Sequence, residues 1–173
     1  MRAFNAAYWR RGRARGGVRL VDWDAYFYPL DGLRDWNRIY GRRGFVQFQC
    51  VLPLAASRAG LAALLAAIGG AGKGSFLAVL KRLGPEAGPF SFPMEGYTLA
   101  VDFPLAPATL PLLARLDEIA IDHGGRFYLA KDARLSAAAL ERSDRRVAGF
   151  RAMRAARGLG ASFSSAQAER LGL

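Results

Sequence analysis

The chain has 173 residues, 52% of them apolar, and a formal net charge of +11. That length suits one domain, or one domain plus a piece of another, and the apolar share argues against disorder throughout. No run of about 18 uncharged apolar residues occurs, so no transmembrane helix is expected, and the start "MRAFNAAYWRRGRARGG" lacks the apolar stretch of a signal peptide.

The single cysteine, Cys50, excludes an internal disulfide and fits a reducing, cytoplasmic setting. The charge is uneven. Residues 1–20 hold six arginines and no acid, residues 133–173 hold eight arginines against three acids, and the stretch between is neutral. A neutral centre with basic ends is not the profile of a dedicated nucleic-acid domain. The flanks are either solvated charge or contacts for phosphate, nucleotide or an anionic membrane.

In chain order, "GFVQFQCVL" (44–52) reads as a strand. Period two sets Phe45, Gln47, Gln49 and Val51 on one face and Val46, Phe48, Cys50 and Leu52 on the other. "PLAASRAGLAALLAAIGG" reads as a helix, with Ser57 as N-cap and Gly69 in the closing left-handed position. "SFLAVLKRLG" is a second strand with Ser75, Leu77, Val79 and Lys81 sharing a face. "GPEAGPFSFPMEG" is a loop by its proline and glycine content. "YTLAVDFP" is a third strand, "PATLPLLARLDEIAIDHGG" a helix closed by Gly124, and "RFYLAK" a fourth strand. The order β-α-β-β-α-β predicts an α+β fold, an antiparallel sheet of ferredoxin-like order. Beyond Lys131 the pattern turns helical, with Ser136 capping "AAALERSDRRVAGFRAMRAAR" and a short helix at 164–171. A boundary is expected at 126–131.

Several constellations invite a chemical reading. The glycine-rich "GGAGKGS" (69–75) is not a phosphate loop, because Ala67 and Gly74 stand where that motif needs glycine and a hydroxyl. His123, the only histidine, suits the C-terminal end of a helix, and with one cysteine no zinc site of usual spacing can be built. Gln47 and Gln49 share a face with Phe45 and Val51, so that face is either open to solvent or lined as a polar pocket. Lys81 projects from the second strand beside apolar neighbours, where a strand-end lysine can snorkel. Lys131 is one of only three lysines among 25 basic residues. It either forms a surface ion pair or aims a compact ammonium at an anion or hydroxyl.

Taken together, "YFYPLDGLRDWNRIYGRRGFVQFQCVLP", "SFLAVLKRLG", "PFSFPMEGYTLAVDFP" and "HGGRFYLAKDAR" resemble the C-terminal part of FAD-dependent sugar oxidases of the vanillyl-alcohol-oxidase superfamily, with aldonolactone oxidases as broader relatives. The resemblance implies that Gln47 and Gln49 line the substrate pocket over the flavin and that Lys81 is a pocket residue. It places Tyr26, Phe27 or Tyr28 in the pocket wall, Tyr28 being taken as the representative. Lys131 falls on the functionally essential lysine beside flavin and sugar. Thr98 and Ala100 stand where mycobacterial members carry asparagine and cysteine, so cysteine-directed covalent inhibitors are not expected to react.

The implied function is oxidation of a sugar hydroxyl, on a lipid-phosphate-linked ribose or a similar sugar or lactone, by hydride transfer to FAD. The implied organisation is a substrate-binding domain over 1–125, N-terminally incomplete, followed over 126–173 by a return segment of the FAD-binding domain. The main FAD domain has no counterpart in the sequence, so FAD is expected to be held mainly by another segment or by a separate FAD-binding chain, and the chain alone is not expected to turn over. A sugar or polyprenyl-phospho-sugar is the expected substrate, with peripheral membrane contact and no nucleic acid as partner. Against this stand two other classes: a non-catalytic basic interaction or nucleic-acid-binding module, and an inert fragment with an exposed docking surface.

Overall fold

The computed structural model describes residues 2–18, 20–28, 31–32, 34–86, 88–160 and 162–173, with the backbone alone for Arg2, Phe4 and Asn5. Alternation builds the centre of the fold. Strand β1 (Phe45–Pro53) ends on a proline that cannot continue a ladder, and helix α3 (Leu54–Gly70) starts immediately after it. Strands β2 (Ala78–Leu83) and β3 (Gly96–Pro104) follow, then helix α4 (Thr109–Asp122) and strand β4 (Arg126–Phe127). These strands form one antiparallel sheet in the order β2-β3-β1-β4, the arrangement expected of a βαββαβ unit. The fold is α+β.

One sheet face carries Val46, Phe48, Cys50, Leu52, Leu99, Val101 and Phe103, all buried. Helix α3 lays Leu64, Ala67 and Ile68 onto this core, and α4 adds Leu112, Leu113, Leu116 and Ala120 at three- and four-residue spacing. Burying a large apolar side chain stabilises by about 1.5–3 kcal/mol, so this face drives the collapse and the opposite face is left for other work. Leu135 and three buried side chains further along, Leu140, Val147 and Leu171, belong to the same core, so the segment after β4 packs on the sheet's helices.

Close approach at the end of β1 demands glycine. A Cβ on Gly96 would lie 1.9 Å from the carbonyl oxygen of Leu52. Gly124, at φ +68°, closes α4 where His123 caps it, and the His123 Nδ1 lies 2.8 Å from the Ile119 carbonyl oxygen it serves as a hydrogen-bond donor.

The structure departs from the sequence reading in five places, the first being that β2 begins only at Ala78, so Ser75 and Leu77 lie ahead of the strand they were expected to share. Ser57 does not cap α3; its hydroxyl donates back to the carbonyls of Leu52 and Pro53 at 2.9 and 2.8 Å, because the helix already starts at Leu54. Gly69 stays helical, and Gly72 takes the left-handed conformation instead (φ 63°). The fourth strand stops after two residues. Tyr128 gives its N–H to Gln49, and the chain then tightens into a 3-10 turn at Leu129–Lys131. The long helix after Ser136 is broken into α5 (Ala137–Ser143) and α6 (Val147–Ala156), because the Asp144 carboxylate accepts the Arg146 N–H and turns the chain between them. Ser136 caps α5 as expected, accepting from Ala139 N–H at 3.1 Å, and α7 (Ala166–Leu171) is the terminal helix.

Ahead of the sheet lie α1 (Arg2–Ala14) and α2 (Trp23–Phe27), both exposed, and a 3-10 segment at Trp36–Tyr40. Among the described residues no helix is long and apolar enough to cross a membrane.

Candidate functional site on the open sheet face

Register decides which side chains meet on the face that α3 and α4 do not cover. Gln47 stands opposite Asp102, Gln49 opposite Ala100, and Val51 opposite Thr98. On the far side of β3, Val79 stands opposite Ala100 and Lys81 opposite Thr98. Directly paired antiparallel residues share a face, so two amides, a hydroxyl, a carboxylate and an ammonium come together on it. The Gln49 amide donates to Thr98 Oγ1 at 3.2 Å, and Thr98 is 2% exposed.

Aromatic rings bound this polar strip at both ends. Tyr40 stacks on Phe45 with ring centres 4.6 Å apart, edged by Phe76 at 5.4 Å. At the other end Phe92, from the loop between β2 and β3, tilts against Tyr128 at 4.7 Å. That loop is held in place by Arg126 and Arg146, whose guanidinium groups both donate to the Ser91 carbonyl, at 3.2 and 2.8 Å.

The short β4 explains where Lys131 goes. Because pairing with β1 ends at Phe127, the outer edge of β1 from Gln49 back to Phe45 has no strand beside it among the described residues. The 3-10 turn fills this gap, and Lys131 lines a shallow crevice together with Gln47, Gln49 and Tyr128. The turn is clamped from α7: the Gln167 amide donates to the carbonyls of Leu129 (2.6 Å) and Asp132 (3.2 Å). Asp132 is committed elsewhere. One carboxylate oxygen accepts the N–H groups of Arg134 and Leu135, and the other accepts from Arg170 at 2.8 Å. Burial alone would raise its pKa, but these bonds outweigh it and hold it below the usual carboxylate range. Lys131 therefore does not pair with its sequence neighbour, and among the described ion pairs it takes part in none.

Gln47, Gln49, Thr98 and Lys131 are thus neighbours, and Lys81 joins them as an exposed residue one strand further out. Tyr28 is exposed in the N-terminal segment, edge-on to Trp23 at 6.4 Å, while Tyr26 and Phe27 pack on each other at 5.2 Å. Pro29 and Leu30 of the same motif lie outside the described residues. The aromatic wall beside the polar strip comes from Tyr40, with Trp36 leaning on Phe45 at 5.9 Å.

Two residues on this face escaped the sequence reading. Asp102 is wholly buried, its Oδ2 accepts from the Tyr40 hydroxyl at 3.2 Å, and Gln47 stands directly opposite it on β1. Burial pushes its carboxyl pKa up, against the opposing pull of Tyr40, Gln47 and the charge of Lys131. Tyr40 is pushed up as well, first by burial and then by the Asp102 charge. The available signal was the period-two spacing Thr98, Ala100, Asp102, which puts an acid on the same face as the glutamines.

No protein-family model matches the chain. In sequence it is similar to the decaprenylphosphoryl-beta-D-ribose oxidase of Mycolicibacterium smegmatis, with 37% identity over 131 residues. The match covers 75% of this chain and 28% of that protein, in the C-terminal portion of the latter. The chain therefore spans under a third of the relative's length, and the relation read from the motifs holds.

Proposed function

We propose that residues 1–173 form the substrate-facing portion of an FAD-dependent oxidoreductase. Its substrate would be a polyprenyl-phosphate-linked ribose, or a similar sugar or aldonolactone, oxidised at a hydroxyl by hydride transfer. One observation supports this most. Gln47, Gln49 and Thr98 share the sheet face that α3 and α4 leave open, and Lys131, singled out on a separate motif, lines a crevice with the two glutamines from the 3-10 turn at the sheet edge. They do so in a chain that matches part of a decaprenylphosphoryl-beta-D-ribose oxidase.

The donor set suits one edge of a flavin. A flavin ring presents carbonyl oxygens and ring nitrogens as acceptors, and Lys131 offers an exposed ammonium on the rim of the face. The glycine-rich stretch 69–75 only closes α3, so the dinucleotide would be held mainly outside residues 1–173, by another domain or a separate chain. Residues 1–125 would then supply the substrate-binding surface, and residues 126–173 the joint toward the flavin-binding part.

Oxidising a carbinol removes a hydride from carbon and a proton from oxygen. A bound flavin would supply the two-electron acceptor. The Gln47 and Gln49 amides each offer one acceptor and donors to neighbouring sugar hydroxyls, and Thr98 fixes the rotamer of Gln49. Lys131 would donate to the substrate oxygen as negative charge develops there, or carry the departing proton. The exposed, basic α1, with Trp9 60% exposed beside Arg10, Arg11 and Arg13, suits the anionic membrane surface where a polyprenyl phosphate resides.

The test is reconstitution. The chain is co-expressed with the flavin-binding portion of such an oxidase, and the complex is titrated anaerobically with decaprenylphosphoryl-ribose while flavin absorption is recorded. A yellow complex bleached by substrate is expected, with Lys131→Ala slowing bleaching by about a hundredfold or more. A pair that remains colourless removes the oxidase reading. A yellow Lys131→Ala complex reduced at the wild-type rate removes Lys131 from the chemistry.

A further inference from the structure

Helix α6 carries an exposed glycine, Gly149, at a position where the backbone does not require one. Its φ is not left-handed, and a Cβ there would meet nothing within 4 Å. Glycine within a helix is less favourable than alanine or leucine, because it loses more backbone freedom on folding. What its missing side chain does here is leave room. Gly149 lines an open trough of about 530 Å³, walled by Pro89 and Phe90 from the β2–β3 loop and by Phe150 and Met153 of α6. That volume lies within the range of small-molecule sites, about 300–1,000 Å³.

The walls of the trough are fixed by packing. Phe90 and Phe150 stack with ring centres 4.3 Å apart and planes 13° apart, and Phe90 packs on the hydrophobic core. The Arg146 guanidinium lies over the Phe90 ring at 5.6 Å, and that of Arg154 over Phe150 at 5.9 Å. Arg146 is committed, donating to Asp144 and to the Ser91 carbonyl and pairing with Glu86. Arg145 also lines the trough, is exposed, and forms no ion pair among the described residues. An apolar wall with an uncompensated cation at its solvent edge is complementary to a ligand with an apolar chain and an anionic end.

We propose that this trough binds a phosphorylated lipid chain, held against Phe90, Phe150 and Met153 with its phosphate facing Arg145. The trough shares Phe90 and Arg146 with a second cavity, and that cavity shares Phe127 and Tyr128 with the Lys131 crevice. The three depressions thus follow one another from the sheet edge to α6. Taking the occupant as the prenyl phosphate of the oxidase substrate rests on the functional reading above; the site itself does not.

The test is equilibrium dialysis of the full chain against radiolabelled geranylgeranyl phosphate, kept below its micellar concentration. Saturable binding is expected. Gly149→Leu fills the trough with a better helix former, so affinity should fall about tenfold or more, while the urea midpoint holds or rises. Arg145→Gln should weaken geranylgeranyl phosphate about threefold and leave geranylgeraniol unchanged. Absence of saturable binding by the wild type, or a Gly149→Leu affinity within about twofold of it, overturns the proposal. An Arg145→Gln variant that binds the phosphate as the wild type does overturns the placement of the head group. If Gly149→Leu lowers the urea midpoint, Met153→Glu decides instead by setting a carboxylate against the chain. A loss of about tenfold is then expected, and unchanged binding overturns the proposal. Every arm runs without flavin and leaves Lys131 in place, so failure here and failure of the oxidase reading are separable.

Discussion

At the scale of single residues, environment overrides type. Cys50 sits at 0% exposure on the core face of β1, and burial, reinforced by the Asp117 charge, pushes its thiol up to about 12. The thiolate is the reactive form. Maleimide labelling of the folded chain at pH 7.5 is therefore expected to be slower than in denaturant by about a hundredfold or more; equal rates would mean that β1 does not stay closed. Ala100 takes no part in such chemistry, so no covalent adduct is expected from cysteine-directed inhibitors, and an intact-mass shift on the folded chain would contradict this. Glutamine is read the same way. On an exposed strand two amides would carry no information, whereas here one of them holds a buried threonine and the other faces a buried acid.

At the scale of elements, termini and crossings do most of the specifying. Helix α5 is only seven residues long, so its single side-chain cap matters: Ser136→Ala should lower stability by about 1 kcal/mol, measured by urea unfolding. The meeting of β1 and β3 at Leu52–Pro53 is stricter. Gly96→Ala drives a methyl into the Leu52 carbonyl, with the backbone rather than a flexible side chain as obstacle. A loss on the order of 3–5 kcal/mol, or failure to fold, is expected. Gly84→Ala, where a Cβ meets nothing within 4 Å, should stay within about 1 kcal/mol of the wild type. Similar thermal midpoints for the two variants would show that the strand crossing is looser than described.

At the scale of the whole molecule, the helical segment after β4 is tied back through charge as well as apolar packing. Arg134 clamps Asp117 of α4 with two bonds of 2.5 and 2.7 Å, and Arg170 of α7 holds Asp132. Because the folded-state pKa of Asp132 is depressed, its contribution is present above the unfolded value, about 3.9. It is lost as pH falls through the lower folded value. Arg170→Met should therefore lower the urea midpoint clearly at pH 7, with the gap to wild type narrowing below about pH 4 as Asp132 becomes protonated. A gap that does not change between pH 7 and pH 3 would assign the effect to lost packing.

Much of this was legible in the linear pattern. Alternation in "FVQFQCVL" and "YTLAVD", helical spacing in two apolar stretches and the intervening glycines and prolines determined the element order, the antiparallel sheet and the shared face of Gln47 and Gln49. Those periodicities are local, and burial of one face follows from them. Tertiary structure decided the rest. Whether β4 ran six residues or two depended on Gln167 and Arg170, nearly forty positions away. The approach of Lys131 to the glutamines and the burial of Asp102 both depend on register between segments that are distant in sequence. Periodicity assigns a residue to a face, but not to the neighbour it meets there, because that neighbour is set by which strands pair and in what register.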